Sequence, residues 1–291
     1  MKSSRFLVVL GSFALAAGVI AAPSEPKELT YATVDRTEIK LDLRLPPGGG
    51  SDGLIIWIHG GGWRAGSKKD CDLKGLVQRG WAVASLDYRL STVAPFPAQA
   101  FDIKAAIRFL RAHATDYGYS PQRFVIAGSS AGGHLAALIG VTNGNPELEG
   151  GEGNDLHVSS NVQAIVVLYG ASNLTTILSQ STPRGLSVRK PALDLLLGGQ
   201  PETRPELARL ASPVFHVDPN DPPLLLMHGD QDPQMPINQA HELQGAYEKR
   251  GLPVVFKVMH GAGHGGPAFT DDASLELIDS FLRKHLPASS G

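Results

Sequence analysis

Cysteine is almost missing from this chain. Cys71 is the only one in 291 residues, so no intramolecular disulfide can form and stability must come from a packed core. Neither sign of charge dominates: 26 Lys and Arg against 28 Asp and Glu leave a net charge of -2. That balance offers no field for nucleic acid or for stable association with an anionic membrane. The zinc-binding pattern H-E-x-x-H is missing too, and neither a metal site nor a cofactor is expected. No internal repeat or low-complexity tract interrupts the chain. Beyond the N-terminal stretch, no apolar run is long enough to cross a bilayer. The sequence carries no signal for an oligomeric state.

The first residues are different in kind. Met1-Lys-Ser-Ser-Arg5 is basic, Phe6–Ile20 is apolar, and Ala21-Ala22-Pro23 is a run of small residues. This reads as a signal peptide over 1–22, with export to the periplasm or beyond. Residues 23–291 then form one domain. Strand-like runs at Glu38–Leu45, Leu54–His59, Trp81–Asp87, Arg123–Ala127, Val162–Tyr169, Pro223–His228 and Val254–His260 are interleaved with helical patterns. The helices are expected near Ala98–Ala114, Ser130–Val141, Asn238–Arg250 and Asp271–His285. Alternation of this kind predicts an α/β fold with a mostly parallel sheet covered on both faces. Cys71 falls in a helical pattern from Lys68 to Arg79 and reads as a partly buried small hydrophobe. Two polar, irregular stretches, 143–161 and 171–217, read as small cap insertions, the second partly covering the active site.

What the sequence does contain is chemistry at the strand ends. Gly128-Ser-Ser-Ala-Gly132 lies between an apolar strand and a helix rich in small residues. G-x-S-x-G in that setting is a nucleophile elbow, and the glycine register selects Ser130 over Ser129. A serine hydroxyl needs a base, an acid that orients the base, and an oxyanion hole. His59-Gly-Gly-Gly-Trp63 follows a strand and can present the N–H groups of Gly61 and Gly62, which join that of Ala131 as oxyanion donors. The acid should follow the serine in the chain and the base should come last. Asp232, after Pro223–His228, and His264, after Val254–His260, take those roles. Asp230 reads as a loop brace and His260 as a local hydrogen-bonding group.

These motifs, with Asp87-Tyr-Arg-Leu90, Phe96-Pro-Ala98, Asp221-Pro-Pro223 and His228-Gly-Asp-Gln-Asp232, resemble the feruloyl- and acetyl-esterase group of α/β-hydrolases, the BD-FAE-like proteins. The resemblance runs from about Tyr31 to the C-terminus. It implies an α/β-hydrolase fold and a cofactor-free serine esterase, deacylating small-molecule or polysaccharide esters that carry acetyl or feruloyl groups. A general short-chain carboxylesterase or lipase-like enzyme is the alternative, and a prolyl-oligopeptidase type of serine peptidase is a weaker one. Where that group often has an Asp after Tyr169-Gly170, this chain has Asn173, at the expected mouth of the site. Trp63 reads equally as a stacking platform for substrate or as packing for the glycine loop. His134 is expected to hydrogen-bond inside the core, His59 to fix the glycine loop, and Asp87 with Arg89 to form a bracing ion pair.

Overall fold

The computed structural model describes residues 25–286; the signal-peptide reading over 1–22 lies outside the described residues. Eight strands form one sheet in the order β1-β2-β4-β3-β5-β6-β7-β8. They are β1 (Lys27–Val34), β2 (Thr37–Arg44), β3 (Leu54–Ile58), β4 (Ala82–Leu86), β5 (Phe124–Ser129), β6 (Ala164–Leu168), β7 (Leu224–Gly229) and β8 (Val254–Met259). The β1–β2 and β2–β4 pairs are antiparallel and all later pairs are parallel. Every residue of β3 to β7 is buried, which is why these strands are continuous apolar runs.

Successive side chains of a strand serve opposite faces of the sheet. Leu54, Ile56 and Ile58 of β3 join one apolar core, while Ile55 and Trp57 join the other. The first core is covered by α1 (Ala98–Ala112), α3 (Ala131–Gly140), α5 (Pro183–Leu197) and α7 (Asn238–Glu248). The second is covered by α8 (Asp272–His285) and by a 3-10 helix at Asp72–Arg79. Three short helices, α2 (Ala114–Tyr117), α4 (Ile177–Gln180) and α6 (Pro205–Leu210), lie in the connections. Cys71 sits just before the 3-10 helix and is 5% exposed.

The segment 143–161 behaves differently from the sequence expectation. It does not cap the site. Glu149 is pinned to α1 by Lys104 (2.7 Å) and Arg108 (3.1 Å), and Gly151–Asp155 help line a groove of about 850 Å³ with Thr30–Asp35 at the β1 edge. Within 171–217 the covering element is α5. Thr182 caps its start by accepting from Gly185 N–H (3.0 Å), Pro183 sets the first turn, and Gly198 at φ 66° ends it.

Candidate active site

Five strand ends converge on one pocket. The segments after β3, β5, β6, β7 and β8 contribute Gly60–Ala65, Ser130, Tyr169, Gln234–Met235 and His264, and α5 adds Val188, Arg189 and Ala192. The cavity holds about 480 Å³, enough for a small ester. The larger groove at the β1 edge carries no serine beside a base.

Ser130 stands at the turn from β5 into α3 with φ 54° and ψ −118°, a backbone region that costs a non-glycine residue about 1–3 kcal/mol. The neighbouring glycines allow it. A Cβ on Gly132 would lie 2.0 Å from the Ile58 carbonyl oxygen, so no side chain fits there. Ser129 is buried and 7% exposed, whereas Ser130 opens to the pocket.

A row of hydrogen bonds leaves the Ser130 hydroxyl. It donates to His264 Nε2 at 2.8 Å, and His264 Nδ1–H donates to Asp232 Oδ2 at 2.6 Å. The carboxylate can only accept, which fixes the proton on Nδ1 and leaves Nε2 as the acceptor. Asp232 has a fully buried side chain. Burial pushes its carboxyl up, but hydrogen bonds from His228 and His264 and the Met235 N–H outweigh this and hold it well below the usual carboxylate range. Its Oδ1 accepts from the N–H groups of both Gln234 and Met235, each at 2.8 Å. His264 is backed by Tyr169, edge-on with ring centroids 4.9 Å apart.

The glycine loop completes the pocket. Gly61 has φ 102° and Gly62 φ 61°. A Cβ on Gly61 would lie 2.1 Å from the Ala65 oxygen, so that position also demands glycine. Among the described residues the N–H groups of Gly61, Gly62 and Ala131 meet no acceptor. Ala131 opens α3, whose N-terminal N–H groups and dipole favour negative charge. His59 fixes the loop from behind. Its Nδ1–H donates to Gly60 O (2.8 Å), and its ring stacks on Tyr88 at 4.4 Å.

Of the remaining candidate residues only Trp63 belongs to the pocket wall. Trp63 is 2% exposed and its indole N–H donates to His134 Nδ1 at 3.1 Å, so it props the loop and offers substrate no stacking face. His134 is fully buried, donates from Nε2 to Ala211 O (2.6 Å), and is pushed down to about 4 by burial. Asn173 does not reach the pocket; its amide donates to Glu242 Oε2 at 2.6 Å and its oxygen accepts from Thr175. Arg89 does not pair with Asp87 but with Asp102 (2.7 Å) and Glu152 (2.9 Å), while Asp87 accepts from Lys68 N–H. Asp230 accepts from Gly261 N–H (2.8 Å) and from His260 Nδ1 (2.9 Å), at the exposed edge of the loop. His260 and His264 thus meet different carboxylates despite standing four apart. Among the described residues no group of three His, Cys, Asp or Glu side chains could hold a metal ion, and no helix is long and apolar enough to cross a membrane.

Sequence reasoning missed Tyr169, Arg189, Gln234 and Met235 as pocket residues, and Arg64 beside them. The position of Tyr169 just after an apolar strand was a usable signal. Arg189 carried none, since a lone arginine in a helical segment reads as solvated.

Comparison with known proteins places this geometry. The family model BD-FAE matches residues 41–247. "Probable carboxylic ester hydrolase LipM" of Mycobacterium tuberculosis is 32% identical over 66% of this chain and 44% of its own length. Esterase LipC of the same organism is 32% identical over 73% of this chain and 52% of its own. The chain therefore spans about half the length of the curated relatives it matches. Among solved structures, a truncated carbohydrate esterase from gut microbiota is similar at a TM-score of 0.81 and 31% identity, covering 93% of this chain and 98% of that one. Esterase 2 of Thermogutta terrifontis, with butyrate bound, gives 0.74 and 28%, covering 92% and 97%.

Proposed function

The chain belongs to the BD-FAE family of α/β-hydrolases, and from that premise we propose that it is a carboxylic ester hydrolase acting through Ser130, His264 and Asp232. The observation that carries the proposal is the unbroken row from the Ser130 hydroxyl through His264 to the buried Asp232 carboxylate, opening on a pocket. Ser130 Oγ attacks the ester carbonyl carbon as its proton passes to His264 Nε2. Asp232 keeps the imidazole in the Nδ1–H tautomer and stabilises the imidazolium that forms. The tetrahedral oxyanion is received by the N–H groups of Gly61, Gly62 and Ala131, each worth about 3 kcal/mol of barrier. Collapse expels the alcohol, which takes the proton from His264. Water then enters, gives its proton to the same nitrogen and attacks the acyl carbon; collapse breaks the bond to Ser130 Oγ, which takes that proton back as the acid leaves.

The substrate we propose is a small acyl ester, acetyl or feruloyl, carried on a carbohydrate. Its support is family membership and the carbohydrate-esterase neighbour. A cavity of about 480 Å³ suits a short or single-ring acyl group. Export belongs to the same proposal and rests on the basic start and apolar run of the first 22 residues. The test is kcat/KM across acetylated xylan, methyl ferulate and p-nitrophenyl esters of rising chain length. Highest values on the carbohydrate and short or aromatic esters support it. A steady rise towards long acyl chains, with activation at a lipid interface, would replace it with a lipase.

A further inference from the structure

The pocket holds positive charge that, among the described residues, no carboxylate pairs with in an ion pair. Among the described residues lining it there are two arginines, Arg64 and Arg189, and no Asp or Glu. Arg189 of α5 is 5% exposed. Its Nε donates to Ser181 Oγ at 3.1 Å and its Nη1 meets the Met235 sulfur at 3.5 Å. Ser181 in turn donates its proton to Ile177 O (2.6 Å), so it offers only a neutral oxygen. Nη2 of Arg189 donates to nothing among the described residues and is not sealed from solvent.

Other buried or half-buried cations are treated differently. Lys68 meets Asp42 and Glu28, Lys104 and Arg108 meet Glu149, and Arg89 meets Asp102. Arg111 and Arg123 donate to main-chain carbonyls. Arg189 has neither kind of partner. The carboxylate that acts on it is that of Asp232, whose oxygens are already taken by His264 and two main-chain N–H groups. Burial lowers the Arg189 guanidinium to about 10, so it still carries its charge at neutral pH. Burying a charge without a counter-ion is costly, and a ligand that brings the opposite charge removes that cost. Arg64 flanks the same space from the glycine loop. A Cβ built on Gly62 would lie 3.9 Å from Arg64 Nε and 3.7 Å from the Ala192 methyl of α5.

We propose that this pocket selects esters bearing a carboxylate apart from the scissile bond, held by Arg189 with Arg64, the substrate class being an acylated saccharide that contains a uronic acid. The guanidinium fork matches a carboxylate in two hydrogen bonds, which neither serine nor thioether provides. The proposal rests on the ester-hydrolase reading above and narrows its substrate.

The experiment compares acetylated methyl glucuronoside with acetylated methyl glucuronamide, its neutral counterpart, at fixed ionic strength. The wild type should favour the acid by about tenfold or more in kcat/KM, mainly through KM, as a charge-assisted hydrogen bond allows. In Arg189→Met that ratio should fall to within about twofold of one, and Arg189→Lys should restore part of it. A purely structural role for Arg189 would leave the ratio unmoved. A parallel pair, the hemisuccinate of methyl glucoside and its neutral succinamate, places the charge on the acyl half instead. Preference for the acid of the first pair supports the proposal, whereas a preference confined to the hemisuccinate would place the carboxylate on the acyl half and overturn the uronic-acid class. If Arg189→Met does not fold, the wild type still decides. Glucuronate should inhibit p-nitrophenyl acetate hydrolysis about tenfold more strongly than glucuronamide, and equal inhibition would overturn the proposal. Hydrolysis of both members of each pair at equal kcat/KM also overturns it while leaving the ester-hydrolase reading intact. Failure to hydrolyse p-nitrophenyl acetate or any member of the panel would remove that reading, and this inference with it.

Discussion

Replacing Asp232 by Asn changes one atom, and the surrounding contacts say which one. Oδ1 accepts from two main-chain N–H groups, of Gln234 and Met235, both at 2.8 Å. An amide NH2 turned towards them would leave two donors facing a donor, at about 1–3 kcal/mol for each unpaired group. The amide oxygen therefore stays there, and the NH2 faces His264 Nδ1 where the carboxylate Oδ2 stood at 2.6 Å. That nitrogen can no longer donate. The imidazole shifts its proton to Nε2, the atom that must accept from Ser130. A triad held in the wrong tautomer loses about 10⁴ in kcat, or roughly 5.5 kcal/mol of barrier. With p-nitrophenyl acetate as substrate, kcat of Asp232→Asn should fall by about three to four orders of magnitude. KM should move only a few-fold.

The same substitution has a signature in stability. The folded carboxyl of Asp232 is depressed, so its contribution is present above the unfolded value near about 3.9 and is lost as pH falls below it. The gap in Tm between wild type and variant should therefore narrow from pH 7 to pH 3. Asp230→Asn is the control, because its contacts reach only His260 and Gly261 at the loop edge. A folded Asp232→Asn enzyme with kcat within tenfold of wild type would refute the role given to Asp232.

Three further outcomes follow from particular contacts. Gly132→Ala should yield an unfolded or inactive protein, read by circular dichroism and turnover, because its Cβ would sit 2.0 Å from the Ile58 oxygen; a fully active variant would mean the elbow is looser than described. Arg89→Met leaves the fully buried Asp102 carboxylate without its partner and should cost about 3–5 kcal/mol, a Tm loss of about 10 °C, with little change in kcat of the folded fraction; an unchanged Tm would contradict the pairing. Asp221, raised to about 7 by burial although it accepts from Asp218 N–H, binds its proton more tightly when folded. Its contribution is present below about 3.9 and is lost as pH rises through about 7, so Asp221→Asn should raise Tm at pH 8 and leave it nearly unchanged at pH 4. Equal Tm differences at both pH values would show that Asp221 ionises freely.

The strands that carry the site were the easiest to read. Runs such as Leu54-Ile-Ile-Trp-Ile58 are buried on both faces, so their sequence is apolar without interruption. β1 escaped notice because it is an edge strand of mixed composition, with only Tyr31 and Ala32 buried and Glu28 paired across to Lys40. The elbow and glycine loop were legible because backbone contact at Gly132 and Gly61 admits no other residue. Orientation was not legible. Trp63 has φ 61°, and its ring lies in the core beside His134, which its place beside the glycines does not reveal. Arg89 found its partner on α1, at Asp102, because the fold brings that helix closer than the neighbouring Asp87. Arg189 gains meaning only once α5 lies over the pocket.

In the proposed mechanism Ser130, polarised by His264, is the nucleophile of an ester hydrolase. Labelling with an aryl phosphonate followed by peptide mass spectrometry tests it most directly, because the reagent traps the activated oxygen itself. A single adduct on Ser130 is expected, with loss of esterase activity in proportion, and neither adduct nor turnover in a folded Ser130→Ala variant. An adduct on Ser129, or a Ser130→Ala enzyme that still hydrolyses esters and still takes the label, would contradict it.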